Sequence, residues 1–398
     1  MQKHLLVSLL CFACLVLVRS DADARVGHGA DHLRTKVVLL ERAPGAFGEL
    51  RSSSGALAIT ATDKGKELLV VDGGSGEVST YLETGEPWGK TARLLNRPGD
   101  AFSKVFRFKA SGNVLAFAAP AGVALFKRDT GEMMATSTDF HHALDVAEMP
   151  GGDWVVNLVW LPIPALTRVA HEKFGGTEPR LVELDNQLEI SNYGLAADPK
   201  RNANQTAARQ LHLAGSADRL YAAELANYKV YELDRTLKLR ATYSLPSLRL
   251  EKGVGVGEDP GLRLKVEAEA ARQMSSMGQD AAQGRSTPGR PAASELFSYQ
   301  PAIYDAAWDP GSQRLLLLLA PGIAGDEGAL DLLDPATGHI QRVLLRLPKD
   351  AASYGPLSQL AVGHSYLWLR NNLGRNPTLR LDRAALEDAP MVQVAKIE

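Results

Sequence analysis

The chain has 398 residues, 45% hydrophobic and 23% charged, with 44 basic and 46 acidic side chains for a formal net charge of -2. That composition is ordinary for a globular protein and the length supports a large core. The even balance offers neither the basic stripe of a nucleic-acid binder nor an acidic tail, so no nucleic-acid partner is expected.

At the N-terminus, Lys3 precedes an apolar run over residues 5–18 (LLVSLLCFACLVLV), and Ala22-Asp23-Ala24 follows as a small-x-small cleavage site. This pattern predicts a signal peptide over residues 1–24 and a periplasmic or secreted protein. The run is shorter than the ~20 apolar residues of a membrane-spanning helix, so no span is expected in the mature chain. An uncleaved anchor, or a lipoprotein using Cys14, are the alternatives. Cys11 and Cys14 both lie in this segment, so the mature chain would hold no disulfide, zinc-thiolate or thiol nucleophile.

Residues 36–40 (KVVLL) form a predicted strand that pairs with the last repeat and closes a ring, with the strand-like residues 391–394 (MVQV) as the other candidate for the outermost position. A recurring unit then begins. Its marker is a short apolar strand ending in an acidic turn: VSTYLETG (78–85), VALFKRDTG (123–131), LVELDN (181–186), VYELDR (230–235), LDLLDPATG (330–338) and TLRLDR (378–383). The acidic positions are spaced by about 46, 56, 49, 100 and 48 residues, and propeller repeats recur every ~40–50 residues with four strands each. An apolar partner strand precedes each marker, as in LLVVD (68–72), WVVNL (154–158) and LLLLL (315–319), and a further strand precedes that one. The unit is a four-stranded meander. Six blades over residues 25–398 are predicted, with a seventh inside the long interval as the alternative.

Two insertions interrupt the repeat, at 160–179 in the third blade and at 244–300 between blades four and five. The first opens with Trp160 and Pro162, an apolar, proline-stiffened loop that runs on to His171 and Phe174. The second carries Leu262, Val266, Ala270, Met274, Met277 and Ala281 at helical spacing behind Asp259-Pro260, which predicts a helix over 263–284. In a meander blade the loop between the second and third strands leaves on the same face as the connection to the next blade. Both insertions are therefore expected on one face, with Trp160, His171, Phe174 and Tyr228 as its binding residues.

The period and the D-x-x-G turns resemble those of the six-bladed NHL-like propellers, over most of residues 36–398. That resemblance implies the all-β propeller fold, and no activity follows from it. His171-Glu172 lacks the second histidine of HExxH, and no GxSxG elbow or GxxxxGK[ST] loop is present. The expected function is a binding or scaffolding propeller that holds a protein, peptide or glycan, without a cofactor or a catalytic residue. The alternative is a hydrolase resembling the gluconolactonase-type enzymes, acting on lactones or esters. That second resemblance implies Ca²⁺ at the channel mouth, on Glu224, Asn157, Asp305 and Asn371.

Overall fold

The computed structural model describes residues 36–50, 57–62, 66–88, 92–95, 107–119, 122–140, 143–149, 151–159, 164–196, 210–225, 228–244, 303–319, 328–348, 357–370, 378–387, 391–393 and 395–397. The expected signal peptide over residues 1–24, the expected helix at 263–284, Trp160 and Asn371 lie outside them.

The chain enters through β1 (Lys36–Leu39), β2 (Glu41–Arg42) and the short helix α1 (Gly45–Glu49). Blade 1 is β3 (Leu57–Ala61), β4 (Glu67–Asp72), β5 (Glu77–Leu82) and β6 (Ala92–Arg93). Blade 2 is β7 (Arg107–Ser111), β8 (Val114–Ala119), β9 (Gly122–Lys127) and β10 (Met133–Ser137). Blade 3 is β11 (Ala143–Glu148), β12 (Trp154–Leu158), then helix α2 (Pro164–Phe174), β13 (Pro179–Leu184) and β14 (Ile190–Ala196). Blade 4 is β15 (Leu211–Gly215), β16 (Leu220–Glu224), β17 (Lys229–Leu233) and β18 (Leu239–Ser244). Blade 5 is β19 (Ile303–Asp309), β20 (Arg314–Leu319), β21 (Ala329–Asp334) and β22 (His339–Arg346). Blade 6 is β23 (Gln359–Val362), β24 (Tyr366–Arg370) and β25 (Leu379–Asp382), completed by β2. The chain ends in β26 (Met391–Gln393) and β27 (Ala395–Ile397).

The first strands of the blades contact one another in sequence, β3–β7–β11–β15–β19–β23, and β23 returns to β3. This is a closed six-bladed β-propeller. Because β15 packs directly on β19, the ring has no place for a seventh blade in the long interval.

The apolar runs of the second strands follow from this ring. Alternate residues of a strand point to opposite faces, and each blade is covered on both. In β8, Leu115, Phe117 and Ala119 join the core between blades 1 and 2, whereas Ala116 and Ala118 join the core between blades 2 and 3. In β20, Leu315, Leu317 and Leu319 face blade 4, and Leu316 and Leu318 face blade 6. The core is thus six seams, one between each pair of neighbours.

Ring closure corrects one expectation. The strand at 36–39 does not join the last blade; β1 runs parallel to β22 of blade 5, with Lys36 opposite Val343. The closing strand is β2, where Glu41 pairs with Arg380. The reason is packing. Val38 and Leu40 are buried in the seam between blades 5 and 6, and the backbone crosses that seam, with Leu40 N–H on the Arg346 carbonyl and Ala43 N–H on that of Thr378. The C-terminal strands take outer edges too, β26 on β22 and β27 on β18.

The marker turns of blades 1 to 5 divide into two kinds. In blades 1, 2 and 5 a glycine with positive φ follows the acidic residue, at Gly85, Gly131 and Gly338. In blades 3 and 4 the left-handed residue is a leucine, Leu188 (φ 63°) and Leu237 (φ 57°). Such a residue costs about 1–2 kcal/mol, and the turn is held by Asp185 and Asp234, whose Oδ1 atoms accept the amides of Gln187 and Glu189, and of Thr236 and Lys238. Gly131 serves packing as well: a Cβ there would stand 2.0 Å from the Arg93 carbonyl oxygen of blade 1. Gly131→Ala is therefore expected to destabilise the protein by more than about 1 kcal/mol, read as a lower urea midpoint with an unchanged m-value.

Candidate functional site

The six first strands begin on the face where the blade-to-blade connections emerge, and their N-terminal ends line one end of the central channel. Asp145 sits near the start of β11, His212 near the start of β15 and Asp305 near the start of β19. The same local device aims both aspartates. A register shift lies between Ala143 and Asp145, and an equivalent one between Ile303 and Asp305; such bulges re-aim a side chain.

Each carboxylate bridges two blades. Asp145 accepts the amide of Val146 (2.8 Å) and, across the seam, that of Leu213 in β15 (2.9 Å). Asp305 accepts the amide of Ala306 (2.9 Å) and, across its own seam, that of Leu360 in β23 (2.7 Å). Gln359 repeats the pattern into blade 1, accepting from the Ile59 amide and donating to the Leu57 carbonyl. Arg107 reaches in from β7, donating to Asp305 Oδ2 (2.9 Å) and to the carbonyls of Tyr304 and Ser358.

His212 is held between the two aspartates. The amides flanking it are both bound to blade 3: Leu211 N–H donates to Asn157 Oδ1 and Leu213 N–H to Asp145 Oδ2, each at 2.9 Å. Its Nδ1 lies 3.6 Å from Asp145 Oδ2 and 3.9 Å from Asp305 Oδ1. The side chain is 1% exposed, and among the described residues neither ring nitrogen has a hydrogen-bond partner. Ligand atoms of Asp145, His212 and Asp305 all lie within 4.8 Å of one another. A cavity of about 10 Å³ borders both aspartates, lined also by Arg107, Lys109, Ile59 and Gln359; that is room for roughly one water. Burial pushes the Asp145 carboxyl up, but the adjoining His212 imidazole and the charges of Arg107 and Lys109 outweigh it and leave the group below its ordinary value.

The first insertion is a helix rather than the expected loop. Pro164 opens α2, His171 and Lys173 lie in its last turn, and the glycine pair Gly175-Gly176 ends it, with Gly176 N–H on the Ala170 carbonyl. Phe174 is buried against Tyr193, ring centroids 5.2 Å apart. Lys173 pairs with Asp139 (3.0 Å) and lies over the Phe140 ring. Asp139 and Phe140 belong to the connection from blade 2 to blade 3. The insertion and a blade-to-blade connection therefore share a face, as the meander geometry requires, and that connection runs straight into β11 and Asp145.

The residues expected on the binding face have diverse environments. His171 is exposed on α2, Phe174 anchors the helix, and Tyr228 is buried, donating to Asp331 Oδ2 at 2.7 Å. Of the residues expected to hold Ca²⁺, Glu224 is fully buried and accepts from Arg180 (2.9 Å) and Tyr231 (2.6 Å). Asn157 donates to the Arg180 carbonyl and accepts from Leu211. Asp305 is the one that the fold gathers with Asp145 and His212. The signal for those two was a polar residue inside an apolar first strand, in Leu144-Asp145-Val146 and Leu211-His212-Leu213.

No protein-family model matches this chain, and no curated protein matches it in sequence. Similar solved structures include a catalytically inactive virginiamycin B lyase from Staphylococcus aureus with quinupristin, 10% identical, covering 84% of this chain and 97% of that one at a TM-score of 0.44. Another is the calcium-binding protein regucalcin from Agrobacterium tumefaciens, 11% identical, covering 87% and 95% at a TM-score of 0.44. At such identities the likeness is one of fold. Among the described residues no helix is long and apolar enough to cross a membrane.

Proposed function

We propose that this protein is an exported propeller that binds a protein, peptide or glycan on the face carrying α2 and the channel end with Asp145, His212 and Asp305. The observation that carries this reading is the clamping of α2. Phe174 and the Lys173–Asp139 pair fix the helix to blade 3 and to the connection beside it, while Arg168, His171 and Glu172 stay exposed. A surface fixed before binding loses little entropy on association. The cavity beside Asp145 and Asp305, at about 10 Å³, is itself too small for an organic ligand, which fits a ligand that lies across the face.

The test is binding to defined peptide and glycan arrays. Replacing Arg168, His171 and Glu172 together by alanine is expected to weaken a captured ligand at least tenfold, about 1.4 kcal/mol. Deleting residues 250–295, in the second insertion, is expected to do the same with the fold intact by circular dichroism. A ligand held with undiminished affinity by both variants would place binding elsewhere and overturn the reading.

A further inference from the structure

We infer that Asp145, His212 and Asp305 form a binding site for one divalent cation of the zinc class, built from three successive blades. The inference is independent of what the outer face holds.

The first observation is His212. An imidazole 1% exposed with both nitrogens unpartnered bears the full desolvation cost of a polar group. Its Nδ1 faces two carboxylate oxygens at 3.6 and 3.9 Å. Those separations are too long for hydrogen bonds, yet they match donors around a shared ion: ligands at ~2.1 Å in tetrahedral array stand roughly 3.4 Å apart. Small side-chain shifts complete the geometry.

The second observation is how the donors are held. Metal-binding carboxylates work best when hydrogen bonds from behind fix their orientation. Here the amides of Val146, Leu213, Ala306 and Leu360 all donate to the two aspartates. Arg107 occupies Asp305 Oδ2, which leaves Oδ1 as the oxygen facing His212. The cavity beside the two aspartates has room for one water.

The third is donor chemistry. One imidazole with two carboxylates suits Zn²⁺, Mn²⁺ or Fe²⁺, whereas Ca²⁺ and Mg²⁺ are bound by oxygen alone. Arg107 and Lys109 already offset the two carboxylate charges, so a dication adds to a neutral site and moderate affinity is expected. The site would tie blades 3, 4 and 5 together at the channel end and present a metal-bound water to the insertion-bearing face.

The test begins with chelator-treated protein, titrated calorimetrically with Zn²⁺ and, separately, with Ca²⁺. The expected result is one Zn²⁺ per chain, a Tm that rises with Zn²⁺ concentration, and no response to Ca²⁺. Co²⁺ in place of Zn²⁺ should give the visible absorption of a tetrahedral site. His212→Gln and Asp145→Asn, which preserve side-chain shape, should each weaken Zn²⁺ binding by about a hundredfold or more. Folded wild-type protein that binds neither Zn²⁺ nor Co²⁺ would overturn the inference, as would Ca²⁺ bound equally well or Zn²⁺ bound undiminished by folded variants. Should both variants fail to fold, the wild-type stoichiometry and the Co²⁺ spectrum decide alone. An ordinary ion pair between a protonated His212 and the aspartates predicts no metal-dependent signal of any kind.

Discussion

Asp331→Ala is expected to cost the protein about 3–5 kcal/mol, the range for removing one partner of a buried ion pair. Asp331, on β21, is fully buried, and Arg342 on β22 binds it through two nitrogens at 2.6 and 2.5 Å. Tyr228 of blade 4 donates to the same carboxylate at 2.7 Å. Removing the carboxylate leaves a buried guanidinium without its counter-charge and a buried phenol without its acceptor. The orphaned arginine cannot escape by neutralising, because a guanidinium stays protonated in proteins; in the intact protein burial pulls its pKa down, but the Asp331 charge and hydrogen bonds outweigh it. Urea denaturation at neutral pH measures the loss. The double replacement Asp331→Leu with Arg342→Met should recover most of it, because the unpaired charge disappears along with the pair. A single variant costing less than about 1 kcal/mol would show that this cluster does not join blades 4 and 5 as described.

A steep loss of stability above pH 10 is the second large effect expected. Burial pushes Tyr304 up to about 12. Burial, reinforced by the neighbouring Asp331 charge, pushes Tyr228 well above its ordinary value. Tyr221 and Tyr243 shift the same way, through burial first and then Glu232. In the folded protein these phenols stay protonated beyond the point where the unfolded chain, with tyrosines near 10, begins to release its protons. Their contribution is thus fully present below about pH 10 and is lost as the pH climbs from there toward the folded values. A fully shifted tyrosine costs up to about 1.4 kcal/mol per pH unit once the unfolded chain is ionised, and because that chain is only half ionised at pH 10, Tyr228 and Tyr304 together account for about 2 kcal/mol between pH 10 and 11. Denaturation midpoints measured from pH 8 to 11 should be flat at first and then fall. Tyr304→Phe should shallow the fall, and an equal slope in that variant would remove Tyr304 from the explanation.

Most of the ring is readable along the chain. Acidic turns such as Asp185-Asn186 and Asp334-Pro335 recur at blade spacing because every third strand must reverse with its amides satisfied, and in blades 3 to 6 a local carboxylate accepts those amides. Apolar second strands such as residues 315–319 recur because each blade is covered on both faces. These are short-range demands repeated at every blade, so periodicity reports them. The helix α2 was less legible. Its prolines read as loop, although Pro164 suits a first helical turn; what makes the segment helical is the docking of Val169, Ala170 and Phe174 on the core between blades 2 and 3.

The channel end belongs to tertiary structure. Asp145, His212 and Asp305 sit in three different blades, and within each strand a single polar residue among apolar ones carries no hint of its partners. Only ring closure brings their side chains within reach of one another, and only then does a buried, unpartnered imidazole appear between two tethered carboxylates. Edge pairing is of the same kind. Residues 36–40 read as a strand from their own β-branched and leucine content, but which blade receives them depends on where Val38 and Leu40 can be buried. The repeat and its turns were thus settled by contacts near in sequence, whereas the closing strand and the candidate site were settled by packing between segments that meet only once six blades form a circle.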